Sequence, residues 1–295
     1  MNDFIILTDS TSDLPCEIRR EYDIEYVKMN YTIEGVEYPA SLDWESHTAR
    51  EYYDLMRGGI RVFTTQVPQD SYREAFQRAA TAGKDVVYIA CSSALSASVN
   101  VACMVAKEVM TDHPGCSIFC IDSLISSLGQ GFLAMEASRK RSAGFSAADT
   151  AAYIESIKLC VNQCGTVASL EYLRRSGRIK ASKAFFGNLF GVKPIIISDR
   201  KGQNYAYKKA KGVANARSAI AEHIHKAADG QYDTLFISHA DCLEDTQLLK
   251  NEILKLAPFK NVIVSTIGPI VGASVGPGTV IAFCYGEEVL IEGNE

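Results

Sequence analysis

Asp85-Val86-Val87-Tyr88-Ile89-Ala90-Cys91-Ser92-Ser93-Ala94-Leu95-Ser96 is the stretch on which the reading of this chain turns. An apolar run of strand length stops at a cluster of small hydroxyls, and the residues from Ala97 to Val109 are helix-compatible and mostly apolar or small. A strand that gives way to a helix there leaves the first helical N–H groups without intrahelical partners, beside Ser92, Ser93 and Ser96. Two readings fit. The serines cap a helix, or the turn holds an anion. Free amides and the helix dipole favour negative charge at such a place, and open α/β sheets collect ligands outside the carboxyl ends of their strands.

The same theme recurs along the first half. A strand over residues 4–7 runs into Thr8-Asp9-Ser10-Thr11-Ser12-Asp13 before Leu14-Pro15, where proline suits the first turn of a helix. Val62-Phe63 runs into Thr64-Thr65-Gln66-Val67-Pro68, and a strand over 117–121 ends at Asp122-Ser123, with Ser126, Ser127, Gly129 and Gly131 entering the next helix. A second strand is expected over 24–33, followed by a tight turn at Glu34-Gly35; helices are expected over 50–56, 71–82 and, capped by Ser146, 146–159. Strand and helix alternate through this half, which predicts βαβ units around a parallel sheet. Four strands then deliver hydroxyls to one crevice, suited to a small polar head group.

The pattern changes beyond residue 160. Strands are expected over 165–169 and 192–197, a short helix and turn over 170–179, and a hairpin-like turn at Asp199-Arg200-Lys201-Gly202 into 203–207. Helices over 213–228 and 244–256 flank a strand over 234–238; a strand over 262–267 precedes a glycine-rich loop over 268–278, and 280–285 with 289–291 form a closing hairpin. The expected fold class is therefore α/β with two domains: a parallel-sheet domain over 1–160 and an α+β domain with a mixed or antiparallel sheet over 161–295.

Composition narrows the function. With 295 residues, 47% of them hydrophobic, the chain has ample material for a core, and a net charge of −5 argues against a nucleic-acid partner, which requires a basic patch. Met1-Asn2-Asp3 leads into an apolar strand without a basic n-region or a span of membrane length, so a cytoplasmic location without membrane insertion is expected. Nine cysteines, scattered through apolar runs, read as reduced core residues, and the Cys116/Cys120 and Cys160/Cys164 pairs lack the spacing of a zinc site. No metal or cofactor is expected. Ser96 as a nucleophile with His239 as base, or Asp9 and Asp122 as reactive groups, would make an enzyme, yet no Gly-x-Ser-x-Gly elbow surrounds any serine. The glycine-rich loop ending at Gly276-Pro277-Gly278 has neither a Gly-x-Gly-x-x-Gly pattern nor a P-loop ending. Arg174, Arg175 and Arg178 form a basic cluster that reads either as a solvated turn or as a docking surface for an acidic partner or phosphate.

Taken together, Leu7-Thr8-Asp9-Ser10-Thr11-Ser12-Asp13-Leu14-Pro15, Thr64-Thr65-Gln66-Val67-Pro68, Ser92-Ser93-Ala94-Leu95-Ser96, Asp122-Ser123 with Gly129-Gln130-Gly131, residues 170–179, Lys193-Pro194 and Gly276-Pro277-Gly278 fall in an order that resembles DegV family proteins. The resemblance spans nearly the whole chain. It implies a two-domain protein that buries a long-chain fatty acid, similar to the lipid-carrying subunit of bacterial fatty acid kinase, which presents the bound carboxylate to a separate ATP-dependent kinase and has no catalytic activity itself. Thr64 matches the threonine of the family's Thr-Ser-Gln-Pro turn and Ser96 the serine of its Leu-Ser-Gly-Thr motif, so both are expected to hydrogen-bond the carboxylate. Thr65, Ser93, Ser10 and Ser274 complete the expected ligand set, with Arg174 and Arg178 as docking residues for the kinase. Three departures stand out: Ala97 replaces a glycine, Ser98-Val99 replaces Thr-Tyr, and Ser274 stands where a histidine is usual, which implies a divergent member serving a related amphiphile or another partner.

Overall fold

The computed structural model describes residues 3–180, 185 and 191–293. Its first half builds a four-stranded parallel sheet from β1 (Phe4–Asp9), β2 (Ile24–Val27), β6 (Asp85–Ala90) and β7 (Ile118–Asp122), in the order β2-β1-β6-β7. The central strands β1 and β6 are almost wholly buried, as a parallel sheet covered on both faces requires, while the edge strands β2 and β7 are only partly so. Helices α1 (Cys16–Glu21), α3 (Gln69–Thr81), α4 (Ser98–Asp112), α5 (Ser127–Ser142) and α6 (Ala147–Ile157) supply the crossovers and cover. Ser146 caps α6 by accepting from the Asp149 amide at 3.0 Å.

Two expectations fail in this half. Residues 24–33 are not one strand: β2 stops at Val27, and β3 (Asn30–Ile33) belongs to a separate antiparallel sheet with β4 (Val36–Pro39) and β5 (Val62–Thr65). The Ser10 hydroxyl holds this crossing, accepting from the Met29 amide at 3.0 Å and donating to the Ala40 carbonyl at 2.8 Å. Consequently Thr64 and Thr65 reach the crevice from the edge of the small sheet, not from the parallel one. Helix α2 (Ala49–Arg57) packs beneath that small sheet, started by a capping box between Thr48 and Glu51.

The second half forms a mixed six-stranded sheet in the order β10-β9-β8-β13-β11-β12, with all pairings antiparallel except β11 with β12. Its strands are β8 (Val161–Thr166), β9 (Val192–Ser198), β10 (Asn204–Lys211), β11 (Thr234–His239), β12 (Asn261–Thr266) and β13 (Val280–Tyr285), with α7 (Leu170–Ser176), α8 (Gly212–Ala228) and α9 (Leu243–Leu256) between them. The strand expected over 165–169 thus begins earlier, and residues 289–291 form no strand. The glycine-rich loop also proves to hold a helix, α10 (Pro269–Val275). Pro269 sits in its first turn, and Gly272 leaves space that a Cβ would take from the Tyr53 hydroxyl at 2.5 Å. Close packing there outweighs glycine's poor helix propensity.

One face of the six-stranded sheet packs on α8 and α9 around Ile195, Ile220, Leu235 and Leu249. Its other face, through Ile196, Phe236, Ile281 and Phe283, shares a continuous apolar core with the parallel-sheet half. The crevice lies along this junction.

Candidate functional site

A cavity of about 220 Å³ opens between the two halves. The first half contributes Thr11 from the β1 turn, Met29, Thr64-Thr65-Gln66 from the end of β5, Cys91, Leu95, Ser96 and Ala97 from the turn between β6 and α4, and Ser126 ahead of α5. The second half contributes Gln163, Gly165 and Thr166 of β8, Ile196 of β9, Asn204 of β10, Ile281 of β13, Leu173 and Arg178, and one face of α10 through Ile270, Val271, Ser274 and Val275.

Its polarity is graded. At the exposed rim lie Thr64, Thr65, Gln66, Ser96, Ser274 and Arg178; among the described residues the hydroxyls of Thr64, Thr65 and Ser274 have no hydrogen-bond partner. Ser96 donates to the Ser98 hydroxyl at 3.0 Å and accepts from the Ser98 amide at 3.3 Å at the start of α4. Ser98 in turn accepts from the Val67 amide at 3.3 Å, so the two hydroxyl turns are tied together. The Arg178 guanidinium donates to the Leu95 carbonyl at 3.2 Å and to the Ser176 carbonyl, and among the described residues it faces no carboxylate. A cation beside free hydroxyls is a receptor for an anionic head group, since charge-assisted bonds run at about 1.5–3 kcal/mol each. Beyond the rim the wall is mostly aliphatic, from Met29, Val167, Leu173, Ile196, Ile270, Val271, Val275 and Ile281, interrupted by the polar side chains of Thr11, Ser126, Gln163, Thr166 and Asn204.

A second cleft of about 190 Å³ meets the first at Thr64, Arg178 and Ser274, lined also by Met56, Ile60, Phe63, Tyr172 and Arg175. The rim is therefore approached from two sides.

Thr64, Thr65, Ser96 and Ser274 thus gather on one cavity, as does Arg178, which the sequence had suggested as a docking residue. Ser10 and Ser93 do not line it: Ser10 is spent on the β2–β3 crossing, and Ser93 is exposed, its amide donating to Asp122 at 3.0 Å. Arg174 points outward and pairs with Glu171 at 2.8 Å. Ser92 is buried, donating to the Gly202 carbonyl at 2.8 Å across the junction.

The reactive roles weighed from sequence find no geometry. His239 lies outside the cavity at the end of β11, where burial depresses its pKa, and Asp9 is buried, accepting from the Tyr88 hydroxyl at 2.9 Å and the amides of Thr11 and Cys91. Asp122 accepts from the amides of Ser93 and Leu124. Among the described residues no three His, Cys, Asp or Glu side chains gather as a metal site, and no helix is long and apolar enough to cross a membrane. Sequence reasoning noted Ser126 at the start of α5 but not as a ligand-binding residue, and missed Gln163 and Asn204, which carry no motif and meet the cavity only through the packing of the two halves.

A profile described as "Uncharacterised protein, DegV family" matches residues 3–287. The chain belongs to the DegV family. A DegV domain-containing protein of Clostridium perfringens is 32% identical over 97% of this chain and 99% of its own length. Among solved structures, a DegV family protein from Thermus thermophilus, described for its fatty-acid binding, superposes with a TM-score of 0.87 at 27% identity, covering 97% of this chain and 100% of the other. DegV of Bacillus subtilis, described as a fatty acid binding protein, shares the fold with a TM-score of 0.82 at 24% identity, over 97% of this chain and 100% of its own. The rim hydroxyls of this DegV protein thus sit on a fold shared with proteins described by a fatty-acid ligand.

Proposed function

We propose that this DegV protein is a non-catalytic carrier of a long-chain fatty acid: Thr64 and Ser96 hold the carboxylate, Ser274 and Arg178 flank it, and the acyl chain follows the aliphatic wall. The observation that carries this reading is a cavity whose rim holds hydroxyls free of partners among the described residues and a guanidinium that faces no carboxylate among them, with mostly aliphatic side chains behind. At about 0.8 kcal/mol per buried methylene, the chain supplies most of the affinity and the head group fixes its direction. The fatty-acid binding described for the Thermus thermophilus relative supports the same ligand class.

The carrier presents its carboxylate to a separate ATP-dependent kinase that forms an acyl phosphate. The second cleft supports this role, because it reaches Thr64, Arg178 and Ser274 from a side separate from the main cavity. Here a neutral Ser274 hydroxyl stands at the head group, so the acceptor carboxylate is positioned by neutral hydrogen bonds and by Arg178.

Native and denaturing mass spectrometry of the purified protein tests the carrier. A fatty acid released on denaturation, and lost from the Thr64→Ala/Ser96→Ala variant, is the expected result; an apo mass unchanged after incubation with fatty acids refutes it. Acyl phosphate formation with ATP and a fatty acid kinase subunit, trapped by hydroxylamine, tests the presentation step separately.

A further inference from the structure

Two side chains of the cavity wall do not suit a plain hydrocarbon. Ser126 and Gln163 both line it, and both are more than nine-tenths buried, at 8% and 5% exposure. Ser126 precedes α5 but makes no side-chain cap bond, and among the described residues its hydroxyl has no partner. Gln163 lies opposite Phe283 on β13, in the row of the sheet that faces the first half. Its amide nitrogen donates to the Asn204 Oδ1 at 3.0 Å, while its carbonyl oxygen has no partner among the described residues. Asn204 is itself anchored, donating to the Arg178 carbonyl at 3.1 Å.

Buried polar groups are ordinarily hydrogen-bonded, and a methylene chain drawn past these two would strip their water and return nothing. A hydroxyl answers both: it donates to the Gln163 carbonyl oxygen and accepts from the Ser126 hydroxyl. We propose that the preferred ligand is a hydroxy fatty acid, whose chain hydroxyl meets Ser126 and Gln163. This rests on the carrier reading above and narrows its ligand class.

The test is competition binding to delipidated protein with stearate and a series of monohydroxystearates whose hydroxyl lies near the carboxylate, at mid-chain or at the terminus. One isomer is expected to bind about five- to tenfold tighter than stearate, the return on a satisfied pair of neutral hydrogen bonds. Ser126→Ala and Gln163→Leu are each expected to reverse that order, weakening the hydroxystearate and tightening stearate; the serine variant serves if the glutamine variant does not fold. Stearate binding as tightly as every hydroxystearate, or an order unchanged in the variants, overturns the inference and leaves the carrier reading standing. Failure of stearate and all hydroxystearates alike overturns both.

Discussion

Asp13 concentrates the physics of the junction in one side chain. Fully buried at the turn after β1, it accepts from the Ser127 hydroxyl at 2.5 Å and from the Gly268 amide at 2.8 Å, joining the start of α5 to the start of α10. Burial, reinforced by the nearby Asp9 charge, pushes its carboxyl up to about 7 against the two hydrogen bonds. Between its unfolded value near 3.8 and about 7, the folded chain holds a proton that the unfolded chain has released. Stability contributed by Asp13 is therefore present at acid pH and falls as pH rises through that window, by up to about 4 kcal/mol. Asp13→Asn keeps an acceptor for Gly268 and tolerates the positive φ of 52°. The variant is expected to lose this pH dependence: urea midpoints measured at pH 5 and pH 8 should differ in the native protein and converge in the variant, and parallel profiles would refute the assignment. Gly202 is a second such point, with a φ of 75° and a Cβ position 2.2 Å from the Ser92 hydroxyl and 2.7 Å from the Leu124 Cα. Backbone cannot yield as a side-chain tip can. Gly202→Ala should cost roughly 2–4 kcal/mol by denaturant titration.

At the scale of elements, α10 and β5 decide the site, and they are the elements the sequence placed least well. The strands of the parallel sheet were legible because period and turn chemistry agreed: apolar runs such as 85–90 stop at hydroxyls and pass into helices. The β2–β3 break was not, since Ile24 to Ile33 reads as one extended run and only the Ser10 hydroxyl, a tertiary contact, marks the crossing. Helix α10 was hidden by its glycines, and its support comes from elsewhere. Tyr52 and Tyr53, buried on α2, donate to the Pro269 and Ile267 carbonyls, each at 2.6 Å. Removing both hydroxyls orphans the buried Ile267 carbonyl, at about 1–2 kcal/mol, and takes a second partner from the Pro269 carbonyl at the start of α10. The Tyr52→Phe/Tyr53→Phe variant should therefore expose the amides over 269–275 to faster hydrogen exchange and weaken fatty-acid binding several-fold through Ser274 and the aliphatic face of α10. Unchanged protection over those residues would show that the tyrosines do not hold the helix.

For the molecule as a whole, the rim was legible and the interior was not. Thr64 and Ser96 stood out because hydroxyls at strand ends form a local pattern, whereas Gln163 and Asn204 reach the cavity only through the register of β8 with β13 and the docking of two halves distant in sequence. On the proposed carrier role, that arrangement makes the ligand a structural member. The cavity takes walls from both halves, so an occupant touches β5, the β6–α4 turn, β8, β13 and α10 at once. A ligand bound only by the folded chain stabilises it by mass action, about 2.7 kcal/mol at a hundredfold excess over Kd. Delipidated protein should therefore melt several degrees below the loaded form, with reloading restoring the difference. Because the tail dominates the affinity, a fatty alcohol of equal length should restore part of the shift, and Thr64→Ala/Ser96→Ala should narrow the gap between alcohol and acid. An equal response to alcohol and acid in the native protein would mean that the rim does not read the carboxylate. A response to neither would mean that the two halves close on each other without a lipid between them.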